Sequence, residues 1–205
     1  MGMYSDSMIR VGSYVWYHDR RDPTDIMKQF GACDVILLQR FPNALRSYFG
    51  DCWYIENWQS HGMLVRGCKK ITTVELPNND VPNNQSQGRY IPILHMDNCK
   101  IISCLTSYDH EGMEQQLDFV ASLVDDNTVL IGDMHREDQF INNLYEKYQL
   151  TNHMKHNTFT NPSGNKIGLD KILTKSTIDI TDIVVHEELA PNLIEHYPFE
   201  LTINV

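Results

Sequence analysis

The segment TVLIGDMHRE, Thr128 to Glu137, joins a hydrophobic run to polar residues that can do chemistry. Gly132 stops the run Val129–Ile131, which predicts a buried strand whose end carries Asp133 and His135. A carboxylate and an imidazole in the loop after a strand are well placed for acid–base work. The alternative is structural, with Asp133 capping the helix that follows.

A second acid, Asp170, lies in the hydrophobic segment GLDKIL. Because Leu169 and Ile172 flank it, the segment favours a buried strand, where an ionised side chain is costly unless it has a role. The structural alternative is an exposed strand residue paired with Lys171 or Lys175.

Three histidines in the C-terminal part are further candidates for functional residues. His196 follows Glu195, whose carboxylate would orient the imidazole and favour its charged form. The alternative for His196 is an ordinary turn residue before a Tyr-Pro pair. His153 and His156 have metal-like spacing, but they lie in a polar segment, so we expect them to be solvated.

The elements that must position these residues follow from the hydrophobic pattern. Alternating or continuous apolar segments predict strands, and apolar residues at helical spacing predict helices. The predicted strands are 8–16, 33–41, 52–58, 62–67, 71–76, 89–94, 100–108, 128–133, 168–175, 182–187 and 199–205, with a turn at 60–62. The predicted helices are 25–32, 111–124 and 138–150.

This order of elements predicts two sheets packed face to face with helices on the outside. The polar loop 77–88 is the one linker-like stretch, and strand-like segments follow it directly. We therefore interpret it as a long hairpin excursion and expect a single domain spanning 1–205.

Composition narrows the class of protein. The chain has 205 residues, a formal net charge of −10 and 41% hydrophobic residues. The acidic balance argues against a protein that coats nucleic acid, although a local cluster of cations can oppose it. Five cysteines without a Cys-x-x-Cys pair favour reduced thiols. No apolar run is long enough for a membrane span and no secretory signal is visible, so we expect no membrane association and a cytoplasmic location.

Five segments, in this order, resemble the endonuclease/exonuclease/phosphatase superfamily, which is also called DNase I-like. They are DVILLQR, SHGMLVR, VLIGDMH, GLDKIL and EHYPFELTINV, and they cover nearly the whole chain. The resemblance implies an α+β fold, a four-layer α/β/β/α sandwich of two mostly antiparallel sheets.

The resemblance also implies functional roles. Enzymes of this superfamily hydrolyse phosphoesters with the help of one or two divalent cations. By position, Asp133 is expected to orient the attacking water, and His196 to contact the phosphate. Asp170 matches a second catalytic acid, and Glu195 replaces an aspartate that precedes and orients the histidine.

Several positions depart from the superfamily pattern. Arg40 stands where a metal-binding glutamate is expected, and a cation there opposes the binding of Mg²⁺. Val15 and His135 each replace an asparagine. Thr106-Ser107 stand where a histidine or tyrosine is common, and Tyr108 takes that role if the register slips by one residue.

Arg40 has two interpretations. In the first, which we favour, it lies beside Gln39 at the sheet edge, neutralises Asp133 or Asp170, and keeps a pocket that holds phosphate. In the second it forms a surface ion pair outside the site.

The positions that depart from the superfamily pattern change which metal ion and which function we expect. We expect a divalent cation, Mg²⁺ or Mn²⁺, with Zn²⁺ as the alternative because a mixed nitrogen and oxygen set suits it. The predicted ligands are Asp133, His135, His196 and Glu195. The expected function is hydrolysis of a phosphodiester, in nucleic acid or a small phosphorylated molecule. The alternative is an impaired relative that binds a phosphorylated ligand, nucleic acid or protein through the same cleft.

Overall fold

The computed structural model describes residues 8–15, 23–41, 53–58, 60–67, 70–77, 90–106, 110–175, 178–189 and 196–205. The strands within these ranges are β1 Met8–Val15, β2 Val35–Phe41, β3 Trp53–Trp58, β4 Ser60–Arg66, β5 Lys70–Glu75, β6 Tyr90–His95, β7 Lys100–Leu105, β8 Thr128–Asp133, β9 Thr151–Asn152, β10 Phe159–Thr160, β11 Lys166–Ile167, β12 Asp170–Thr174, β13 Asp179–Val185 and β14 Phe199–Asn204. The helices are α1 Pro23–Phe30, α2 His110–Ser122 and α3 Gln139–Tyr148, with a 3₁₀ turn at Glu187–Leu189.

Two six-stranded sheets carry the architecture. The first has the order β13-β14-β1-β2-β4-β3, and the second has the order β5-β6-β7-β8-β12-β9. Most neighbouring strands are antiparallel, whereas β1 with β2 and β7 with β8 are parallel. Each parallel pair is joined through a helix, α1 in the first sheet and α2 in the second, because parallel neighbours need a crossover connection.

The main hydrophobic core lies between the two sheets. It contains side chains of the first sheet, such as Val35 and Leu201, and of the second, such as Ile131 and Ile172. Burial of this apolar area is the largest favourable contribution to the stability of such a sandwich.

A second core forms where α2 and α3 cover the outer face of the second sheet. Leu117 of α2 and Leu144 of α3 pack there with Leu130 and Leu173. On the opposite side of the molecule, a Cβ placed on Gly12 would lie 2.5 Å from Phe30 Cδ1, so α1 packs tightly on the first sheet. The layers are therefore α/β/β/α, as predicted from the sequence.

Local chemistry fixes the ends of α3. Asp138 is the N-cap, and its side chain accepts hydrogen bonds from the backbone N–H groups of Phe140 and Ile141. Gln149 ends the helix in the left-handed conformation with φ 56°. The alternative role for Asp133, capping this helix, is therefore wrong, because Asp138 does so.

The other differences from the sequence prediction concern short elements. The turn predicted at 60–62 is wrong, because these residues are the first three of β4 and His61 pairs with Trp58. The short strands β9, β10 and β11 were not predicted. Most of the polar loop 77–88 lies outside the described residues. Within the described part of the chain, no helix is long and apolar enough to cross a membrane.

Candidate functional site

Two carboxylates face each other at the end of the central strands of the second sheet. Asp133 ends β8, Asp170 begins β12, and the two residues are direct partners in the antiparallel register. Since side chains alternate along a strand, both point into the layer between the sheets, as Ile131 and Ile172 do. Asp133 is 0% exposed and Asp170 is 1% exposed. Two buried carboxylates so placed require positively polarised neighbours.

His196 lies between these carboxylates. Its Nδ1 is 2.7 Å from Asp170 Oδ2, and its Nε2 is 3.3 Å from Asp133 Oδ2. The imidazole is buried, 4% exposed, just before β14. The shorter contact is a hydrogen bond that fixes the orientation of the ring, and the longer one directs Nε2 towards Asp133.

His135 contacts the same carboxylate from the other side. Its backbone N–H donates to Asp133 Oδ1 at 2.9 Å, and its Nε2 lies 2.7 Å from Asp133 Oδ2. Its Nδ1 lies 3.4 Å from Thr106 Oγ1. His135 has φ 55°, a left-handed conformation that histidine and asparagine adopt more readily than most residues.

The two imidazoles determine the charge state of Asp133. Burial alone would raise the pKa of this carboxyl, but the electrostatic interaction with His196 and His135, together with hydrogen bonds from His135, outweighs burial. The pKa of Asp133 is therefore well below its ordinary value. The carboxylate stays ionised throughout the physiological pH range.

Sequence reasoning missed the segment that holds Asp170 and His196 together. Thr158 Oγ1 accepts a hydrogen bond from the Asp170 backbone N–H at 3.0 Å, and Thr158 O accepts one from the Tyr197 backbone N–H at 2.7 Å. Phe159 forms an isolated bridge with His196, and their ring centroids are 4.8 Å apart. The apolar Phe159 between two threonines is compatible with a strand, but it does not indicate the contacts of this segment with Asp170 and His196.

Gly132 sets the position of Asp133 in the sheet. Its φ is 143°, and a Cβ built on it would lie 2.1 Å from the backbone oxygen of Cys104. Any side chain would therefore push β8 away from β7, so glycine is required here.

The remaining predicted residues are not part of this four-residue cluster, or lie outside the described part. Gln39 is buried, and its Nε2 contacts Ser13 Oγ and Ser103 Oγ at 3.4 and 3.3 Å. Arg40 lies in β2, but its side chain is outside the described residues, as are Tyr108 and Glu195. Their roles stay predictions.

The histidine pair with metal-like spacing is separate from this cluster. The Nε2 of His153 lies 2.8 Å from Thr174 Oγ1, and His156 is exposed. Neither residue contacts the cluster formed by Asp133, His135, Asp170 and His196 in any described hydrogen bond.

The donor set can be tested against a divalent cation. Asp133 Oδ2 and Asp170 Oδ1 are buried oxygens that receive no well-aligned hydrogen bond from the described residues. Ligands of one cation at coordination distances near 2.1 Å stand about 3 Å apart, whereas His135 Nε2 and Asp133 Oδ2 are 2.7 Å apart, a hydrogen-bonding distance. No group of three or more His, Cys, Asp or Glu side chains in the described ranges is arranged to hold a metal ion. The described residues do not fit the cation that the superfamily resemblance implies.

Comparison with known proteins gives the fold. No family model matches the sequence, and no curated protein matches it. An endonuclease/exonuclease/phosphatase from Beutenbergia cavernae is similar in structure, with a TM-score of 0.67 and 13% identity over 97% of this chain and 72% of that chain.

Two other solved structures are similar over nearly their full length. The 3′ phosphatase NExo from Neisseria, bound to a product DNA hairpin, has a TM-score of 0.67 and 14% identity over 94% of this chain and 98% of that chain. A Cimex nitrophorin in a ferrous NO complex has a TM-score of 0.57 and 12% identity over 97% of this chain and 99% of that chain. Likeness at this identity concerns the fold, and the nitrophorin shows that the fold serves more than one purpose. The chain has the DNase I-like fold of the endonuclease/exonuclease/phosphatase superfamily.

Proposed function

We propose that this chain is a phosphoesterase that hydrolyses a phosphodiester. The observation that carries the proposal is the convergence of Asp133, Asp170 and His196, which lie far apart in sequence, at one end of the second sheet. A buried imidazole held by one carboxylate and aimed at another is a common arrangement for acid–base catalysis.

The geometry supports a division of roles. Asp170 holds the ring of His196 through the 2.7 Å hydrogen bond, so that Nε2 can bind a phosphoryl oxygen in place of its 3.3 Å contact with Asp133. Asp133 Oδ2, which His135 Nε2 approaches to 2.7 Å, has a second lone pair that would accept a hydrogen bond from the attacking water once His196 Nε2 binds the phosphoryl oxygen.

In the reaction, the water oxygen bonds to phosphorus while the bond from phosphorus to the leaving oxygen breaks. The water loses one proton and the leaving oxygen gains one, so a phosphodiester and water give a phosphomonoester and an alcohol. The similar NExo structure, a 3′ phosphatase bound to product DNA, supports nucleic acid as the first substrate to examine. A small phosphorylated molecule is the second.

A second candidate function is binding without turnover. It is favoured by the burial of the site, since the side chains of His135 and His196 are only 5% and 4% exposed. The Cimex nitrophorin, whose structure is that of a ferrous NO complex, is similar in fold and is not named as a hydrolase. In this case the cleft would hold a phosphorylated ligand or a nucleic acid without cleaving it, or would bind a protein partner.

Asp133→Asn distinguishes the two candidates. Purified protein is assayed on bis-p-nitrophenyl phosphate, plasmid DNA and RNA, with a chelator and with Mg²⁺, Mn²⁺ or Zn²⁺. We expect turnover that falls at least about a hundredfold in Asp133→Asn and is unchanged in the control His153→Asn, which lies outside the cluster. Absence of turnover in every condition, with single-stranded DNA still bound by fluorescence anisotropy, would establish the binding function instead.

A further inference from the structure

His135, two residues after the end of β8, contacts both oxygens of the Asp133 carboxylate. Its backbone N–H lies 2.9 Å from Asp133 Oδ1, and its imidazole Nε2 lies 2.7 Å from Asp133 Oδ2. A residue can reach both oxygens only if the chain turns back at once, and the φ of 55° at His135 provides that turn. The backbone conformation of His135 therefore places its imidazole against Asp133.

The turn that carries His135 is also fixed from outside. Arg136 Nη1 donates to Glu114 Oε1 at 2.6 Å, and Arg136 Nε donates to Asp138 Oδ2 at 2.8 Å. The guanidinium also lies over the ring of Phe140, 4.7 Å from its centroid. Arg136 thus ties the turn to α2 and to the first turn of α3, so the imidazole of His135 is held in place.

These contacts engage the carboxylate oxygens that would have to coordinate a cation. A divalent ion on Asp133 would compete with the His135 imidazole for Oδ2, and His196 Nε2 already lies 3.3 Å from the same oxygen. Asp170 Oδ2 is engaged by His196 Nδ1, which leaves Asp170 Oδ1 as the one oxygen of the pair without a close histidine among the described contacts. One carboxylate oxygen is a weak site for a hard cation, which takes six or more oxygen ligands.

We infer that the imidazole of His135 occupies the place on Asp133 that a divalent cation would take, and that the site cleaves its phosphoester without a divalent metal. The inference rests on the proposed phosphoesterase function. It assigns His135 a hydrogen-bonding place on Asp133, and not the Lewis-acid role on the phosphoryl oxygen that a metal ion has in such sites.

The first test measures metal binding without reference to activity. Mn²⁺ is titrated into the wild type, His135→Asn and the control His153→Asn by calorimetry. Asparagine tolerates the left-handed backbone, so His135→Asn removes the imidazole and keeps the turn. We expect no saturable binding to the wild type or the control up to the highest Mn²⁺ concentration used, and saturable binding to His135→Asn with an affinity at least about tenfold above that detection limit.

Two results would overturn the inference in this test. One is a single Mn²⁺ bound per wild-type chain and lost in Asp133→Asn. The other is Mn²⁺ affinity that does not change when His135 becomes asparagine.

The second test separates the inference from the function on which it rests. Hydrolysis of bis-p-nitrophenyl phosphate is compared in EDTA and in Mg²⁺, and we expect rates equal within about twofold. Turnover that requires added metal would overturn the inference and keep the phosphoesterase function. Absence of turnover in both conditions would overturn the phosphoesterase function, and the Mn²⁺ titration would then decide whether His135 excludes the ion.

Discussion

Asp170→Asn tests whether the buried contact between Asp170 and His196 stabilises the protein. The substitution keeps the size of the side chain and an oxygen that can accept from His196 Nδ1, but it removes the negative charge. Both partners are buried, at 1% and 4% exposed, so the solvent screens their interaction little.

The expected cost follows from the kind of hydrogen bond. A charge-assisted hydrogen bond contributes roughly 1.5–3 kcal/mol and a neutral one roughly 0.5–1.5 kcal/mol. Since asparagine keeps a neutral hydrogen bond, loss of the charge beside a buried imidazole lowers the free energy of unfolding by the difference, about 1 kcal/mol at pH 7. Repulsion between Asp170 and its register partner Asp133 acts in the opposite direction, because Asp170→Asn relieves it.

Urea denaturation measures which effect is larger. The control is Asp179→Asn, an exposed carboxylate that accepts from Asn204 Nδ2 at 2.9 Å and should cost less than about 0.5 kcal/mol. A double-mutant cycle with His196→Gln should give a coupling energy of at least about 1 kcal/mol. An Asp170→Asn variant as stable as the wild type, or more stable, would show that repulsion dominates and would refute the argument.

Three further predictions concern stability and reactivity. Because the pKa of Asp133 is depressed in the folded state, its ionised form stabilises the fold fully above the unfolded pKa of about 3.9, and this stabilisation is lost as pH falls. Asp133→Asn should therefore lower the free energy of unfolding at pH 7 and lower it less at pH near 3, as measured by urea denaturation. Gly132→Ala should cost about 3 kcal/mol or prevent folding, measured by thermal unfolding, because its Cβ would collide with the backbone oxygen of Cys104. Burial raises the pKa of the Cys33 thiol to about 12, that of Cys99 to about 11 and that of Cys104 further, so peptide mass spectrometry should find all three slow to alkylate at pH 8 until the protein is denatured.

The strands that form the centre of each sheet could be predicted from the sequence because their apolar runs are unambiguous. Val35–Leu38 and Val129–Ile131 are buried in the structure as the pattern indicates. The short strands β10 and β11 could not be predicted, because two-residue strands form through tertiary contacts and carry no periodic pattern. The wrong turn at Ser60 to Gly62 has a similar cause, because these polar and small residues favour a turn locally but are held in β4 by pairing with β3.

The candidate site was only partly predictable. Asp133, Asp170 and His196 came from the order of the motifs, and the structure places His196 3.3 Å from Asp133 and 2.7 Å from Asp170. The supporting role of Thr158 could not be predicted, because a threonine hydroxyl that accepts from a backbone N–H twelve residues away has no sequence pattern. The contact of His135 with Asp133 depends on a positive φ, which a histidine does not signal as a glycine would.

The central claim is that the imidazole between the two carboxylates acts on a phosphoester, and His196→Gln tests it most directly. The measurement is kcat/KM for bis-p-nitrophenyl phosphate in the wild type, His196→Gln and the folded control His153→Asn. We expect a loss of about 10²–10⁴-fold in His196→Gln and no change in the control. A folded His196→Gln variant that hydrolyses the substrate with the kcat/KM of the wild type would contradict this claim.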